Sequence, residues 1–115
     1  MSNNDDWILE IRLFTVSPDA RPEFHRISRD GTIPLMRECG ITVLAHGPSP
    51  TDDDGYFLIR AFPSVELRNE LAPAVYATKE WEEQYEEPVM KMIQEYHTTL
   101  VPVSRRVIEE WSATG

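Results

Sequence analysis

The chain is short of cysteine, glycine, positive charge and long apolar runs, and each shortage removes a class of protein. Cys39 is the single cysteine in 115 residues, so no internal disulfide can form, and a lone thiol suits a reducing compartment. Lys and Arg number 11 against 20 Asp and Glu, a formal net charge of −9. Such a chain repels phosphate backbones and anionic lipid headgroups, so neither nucleic acid nor membrane is an expected partner. No apolar run approaches the ~20 residues of a membrane span. Residues 1–6 are polar and acidic, without the basic and apolar regions of a secretory leader, so the cytoplasm is the expected compartment. Only 5 glycines are present, and none forms a phosphate-cradling loop or a nucleophile elbow. The three histidines, His25, His46 and His97, stand apart from one another and from Cys39 without metal-ligand spacing, so neither a metal nor a cofactor is expected.

What remains is a globular composition, 41% apolar and 27% charged, in a length that makes one domain. Trp7 to Val16 alternates. Trp7, Leu9, Ile11 and Leu13 form one wholly apolar face, expected to lie under the helices; Ile8, Glu10, Arg12, Phe14 and Val16 form a mixed face, expected to be covered by something else. Ser17-Pro18-Asp19 reads as a helix start. Phe24, Ile27, Gly31 and Leu35 make one stripe along that helix, Pro34 predicts a kink near Asp30, and Gly40 closes it as a left-handed cap. Ile41–His46 and Tyr56–Phe62 are strands around an acidic turn, Asp52-Asp53-Asp54-Gly55, which lacks the rest of a calcium loop. Ser64 caps the next helix, Thr78 a further one interrupted by Pro88, and His97–Val103 is a last strand that Pro102 confines to an edge or ends.

The order β-α-β-β-α-β predicts an α+β, ferredoxin-like antiparallel sheet. Three units follow: a disordered tail over 1–6, the domain over 7–103, and a C-terminal extension over 104–115. Leu9, Ile11, Leu13, Phe24, Ile27, Leu35, Ile59, Leu67 and Leu71 are the expected helix-side core.

Several pieces in order resemble the NIPSNAP-domain family of the dimeric α/β-barrel superfamily. They are Glu10-x-Arg12 followed by Thr15 and Ser17-Pro18, the Pro34-to-Gly40 helix ending before Ile41, Leu58-Ile-Arg60-Ala-Phe62, and Lys79-Glu80-Trp81. The resemblance runs over about residues 7–102. It implies a homodimer whose two sheets close one barrel, and it implies no established reaction.

The candidate ligand-binding residues are Glu10, Arg12, Arg60, Tyr56 and Trp81. An arginine pair on one sheet face holds a carboxylate or phenolate in bidentate fashion. The alternative is that Glu10 pairs with an arginine and both serve only the fold. His46 and His25 are the candidate acid–base residues, because imidazole titrates near neutral pH. Trp81 and Tyr85 form an aromatic stripe that lines a pocket or fills a core. The functional expectation is a small-molecule pocket for an anionic or aromatic ligand in a cofactor-independent enzyme of secondary or aromatic metabolism. Its alternative is a non-catalytic interaction protein whose buried charges stabilise a dimer. A heme protein, with His25 or His97 as axial ligand, is a third reading. Whether the chain is an enzyme stays open on sequence alone.

Overall fold

The computed structural model describes residues 6–114. The elements run β1 (Asp6–Val16), α1 (Arg21–Ile27), α2 (Ile33–Glu38), β2 (Thr42–Pro48), β3 (Gly55–Phe62), α3 (Val65–Tyr76), α4 (Glu86–Met92), β4 (Ile93–Ser104) and α5 (Arg105–Thr114). The strands form one antiparallel sheet in the order β2-β3-β1-β4. This is the ferredoxin-like α+β architecture expected from the element order. β4 is an edge strand, so Pro102 can sit within it and leave its missing donor on the outer side. The expectation of a disordered tail falls largely on residues 1–5, which lie outside the described residues; Asp6 already belongs to β1.

The phase expected for β1 is corrected by one residue. Phe14 and Val16 belong to the large core with Phe24, Ile27, Leu35, Tyr56 and Leu58, so the mixed face lies under the helices. The wholly apolar face points the other way. Leu9 packs there with Ala61 and with Ile108 of α5, while Ile11 and Ile59 are only partly buried and Leu13 is 52% exposed. The expected core is right for Phe24, Ile27 and Leu35, and Leu71 packs against it; Leu9, Ile11 and Ile59 lie on the opposite side of the sheet.

The first helix starts later than expected. Asp19 takes a left-handed φ of 68°, and α1 begins at Arg21 with Pro22 in its first turn. The proline at the helix start is therefore Pro22, not Pro18. The break expected at Pro34 takes the form of a π turn over Ser28–Thr32, where the Ile33 amide donates to the Ser28 carbonyl. A widened turn just before a proline relieves the clash of its ring with the carbonyl four residues back. The same device precedes Pro88, where a π turn covers Trp81–Tyr85. Gly40, at φ 92°, closes α2 as the sequence predicts. Ser64 caps α3, its hydroxyl accepting from the Leu67 amide at 3.0 Å.

Candidate functional site

Between the sheet and the helices lies a cavity of ≈ 400 Å³. Its walls are mostly apolar, including Phe14, Phe24, Met36, Leu58 and Trp81. A few polar groups reach it, Arg12, Ser28, Thr32, Tyr56 and Tyr76 among them. An apolar enclosure with a handful of convergent polar groups is the usual form of a small-molecule site.

Arg12 enters from β1. Its Nη1 donates to Tyr76 Oη at 2.9 Å and its Nε to Thr98 Oγ1 at 3.3 Å. The guanidinium carbon lies 5.2 Å from the ring centres of both Phe14 and Tyr96. Among the described residues no carboxylate lies within ion-pair distance of Arg12. Tyr76 in turn stacks edge-on against Trp81, with ring centres 4.8 Å apart.

Arg60 and Glu10 stand opposite each other in the β1–β3 register, on the same face as Arg12. They do not reach the cavity; they engage each other. Arg60 Nε donates to one Glu10 oxygen at 2.5 Å, and Arg68 from α3 holds the other at 2.9 Å. Arg60 is 1% exposed and Glu10 0%. Nη1 of Arg60 donates to the Met36 sulfur at 3.7 Å, and its guanidinium lies over the Phe62 ring. Burial alone would raise the Glu10 pKa. Hydrogen bonds and charge from Arg60, with help from Arg68 and Arg12, outweigh burial and hold the carboxyl below its ordinary value.

The two candidate acid–base histidines meet at a third candidate. His25 Nδ1 lies 2.7 Å and His46 Nδ1 2.9 Å from Tyr56 Oη, and the imidazole centres are 5.9 Å apart. Tyr56 is 3% exposed and contributes to the cavity wall, while both histidines are half-buried. Burial pushes the phenol up to about 12, against the opposing influence of the nearby Ser28 and of the Arg29 charge. Burial, then the neighbouring His25 and Arg37, push His46 below its ordinary value.

The other sequence candidates lie apart. His97 is exposed on β4, 3.7 Å from Glu95. The Cys39 thiol is pushed up by burial and by Glu80 and Glu38, the reverse of nucleophile activation. Among the described residues no group of three metal-ligating side chains converges. In the acidic turn, Asp52 accepts from the Asp54 amide and Arg21 donates to the carbonyls of Ser49 and Gly55, so it is held as a turn.

Sequence reasoning missed Ser28 and Arg68. Ser28 follows Phe24 by four residues, which places it on the same helical face. Arg68 follows the Ser64 cap by four, one turn above it.

No protein-family model matches the chain, and no curated protein matches it in sequence. Solved structures do. A NIPSNAP-like domain protein from Burkholderia xenovorans superposes with a TM-score of 0.74 at 16% identity, over 83% of each chain. A NIPSNAP family protein of unknown function from Agrobacterium tumefaciens gives 0.77 at 18% identity, over 86% of this chain and 89% of that one. Another NIPSNAP family protein from that organism gives 0.76 at 12% identity, over 85% and 86%. The chain therefore has the ferredoxin-like fold of NIPSNAP-domain proteins, as its sequence pieces suggest. At these identities the likeness establishes the fold alone.

Proposed function

We infer that this is a homodimeric, cytoplasmic NIPSNAP-like protein whose cavity takes a small aromatic or flat apolar anion, as a cofactor-independent enzyme of secondary or aromatic metabolism would. The observation that carries this reading is Arg12. It borders a mostly apolar cavity, with two aromatic rings and a phenol against it and, among the described residues, no carboxylate within ion-pair distance. A guanidinium so placed suits a carboxylate or phenolate, while Trp81, Tyr76 and Phe14 suit the flat body of the ligand. The anchor is Arg12 rather than Arg60, because Arg60 is engaged by Glu10 behind the wall.

The non-catalytic reading draws on that same buried cluster. Glu10, Arg60 and Arg68 satisfy one another and do structural work with no ligand present. The two readings part at Arg12. Fluorescence titration with a panel of benzoates and phenols reads Trp81, one of the cavity's own residues. Saturable quenching at micromolar to low millimolar concentration is expected in the wild type, with at least tenfold weaker binding in Arg12→Met. If no panel member binds, or if Arg12→Met binds equally well, the small-molecule reading fails.

A further inference from the structure

A phenol has one proton, and Tyr56 shares its oxygen with two imidazole nitrogens, at 2.7 and 2.9 Å. The phenol can donate to only one Nδ1, so the other Nδ1 carries a hydrogen and donates to the phenol oxygen. Tyr56 itself lines the cavity, beside Ser28, a residue 5% exposed on the same wall. A continuous chain of exchangeable hydrogens therefore runs from the cavity through Tyr56 to two half-buried rings. Each imidazole has a second nitrogen beyond the chain. Nothing in the binding of an anion at Arg12 requires this chain.

We propose that Tyr56 and the His25–His46 pair form a proton relay that accepts the proton of a weakly acidic ligand, a phenol or an enolisable carbonyl, bound in the cavity. This rests on the cavity being a small-molecule site, and it names the substrate class and the chemistry. In the forward step the ligand hydroxyl or C–H proton passes to Tyr56 Oη. As it arrives, the proton that Tyr56 held passes to the accepting Nδ1. The ligand is left as its conjugate base and one imidazole becomes imidazolium, so charge balances and no redox partner is needed. Arg12 lies on the same cavity and offsets the new anion. Tyr56 acts as a conduit and not as the base, since burial holds its phenol protonated to about pH 12. The charged groups around the pair are Arg37, which disfavours protonation of His46, Arg29, which faces Tyr56, and Asp30, which interacts with His25. Return of the proton to a different ligand atom would make the site an isomerase of the keto–enol kind.

The probe is 4-nitrophenol, whose phenolate absorbs in the visible. Binding is read from fluorescence quenching, ionisation of the bound probe from the phenolate band, and imidazole protonation from side-chain ¹⁵N shifts. The measurement is made slightly below the pH at which the free probe is half-ionised. The wild type is expected to bind the probe largely as phenolate, with one of the two imidazoles gaining a proton on binding. Tyr56→Phe and, separately, His46→Gln are expected, at saturating probe, to reduce the bound phenolate by at least half and abolish the imidazole response. His46→Gln keeps the buried tyrosine and serves if Tyr56→Phe fails to fold. A bound probe that stays protonated in the wild type overturns the relay and leaves the cavity reading standing. Equal ionisation in both variants does the same. Absence of binding in the wild type overturns both.

Discussion

Glu10 uses each of its two oxygens to hold a different guanidinium, one from β3 and one from α3. A buried carboxylate of this kind is a small net contributor while complete and a large liability once a partner is lost. Arg60→Met is expected to destabilise the fold by about 3–5 kcal/mol, because Arg68 alone must then compensate a buried charge. Replacing both members, Glu10→Leu with Arg60→Met, is expected to recover most of that loss. The pH dependence follows from the sign of the shift. The Glu10 pKa is lowered in the folded state, so its contribution is present above the ordinary value of 4.5 and is lost as pH falls through the folded-state value. In Arg60→Met the folded-state value rises, so acid unfolding should begin at higher pH. Chemical denaturation of the single and double variants across pH 3–7 reads both effects; an additive double variant would show that the pair does not act as a unit. The chemistry of these residues was legible from the residue types, since a charge inside an apolar strand must find a partner. Which arginine answered Glu10 was not, because that depends on register and on an α3 residue fifty-eight positions away.

At the scale of elements, strand phase was the hardest thing to read. Both faces of β1 carry large apolar side chains, and the wholly apolar one looked like the core face. The polar content of the other face was no guide to exposure, since Glu10 and Arg12 are satisfied by Arg60, Arg68 and Tyr76 under the helices. The order of elements, the caps at Ser64 and Gly40 and the break before Pro34 were legible because each rests on local chemistry. The two π turns were not, yet they meet. A Cβ built on Gly31 in the first would stand 2.5 Å from the Tyr85 ring in the second. Ordinarily Gly→Ala inside a helix stabilises by about 1 kcal/mol. Here Gly31→Ala should instead destabilise by about 1 kcal/mol, since the Tyr85 ring must leave its place. In a Tyr85→Ala background the same substitution should become stabilising. Thermal melts of the four proteins in this cycle measure the coupling, and a Gly31→Ala gain in both backgrounds would mean that the two turns do not touch.

At the scale of the whole molecule, the two faces of the sheet have different fates. The face carrying Glu10, Arg12 and Arg60 is covered by helices, so the uncovered apolar surface lies opposite to where the sequence placed it. α5 covers one end of that other face by setting Ile108 against Leu9 and Ala61. Toward the far end, Leu13 is 52% exposed between Phe57 of β3 and His97 of β4, with Ile11 and Ile59 half-buried beside it. In the proposed dimer a second copy would cover this face, and a stable dimer needs about 800 Å² from each partner. Because side chains alternate along β1, Ile11 and Leu13 would meet the partner while Arg12 between them faces the cavity. Dimerisation would then fix the strand that carries the proposed anchor. The wild type should scatter light as twice the 13.3 kDa chain at micromolar concentration. Leu13→Glu sets an acid in the centre of the strip and should shift the population to monomer. Val65→Glu, at an exposed apolar position at the start of α3, should leave the dimer intact. A monomeric wild type would remove the dimer altogether. A wild-type dimer that survives Leu13→Glu but not Val65→Glu would place the interface on the helices, and Arg12 would then gain nothing from the second subunit.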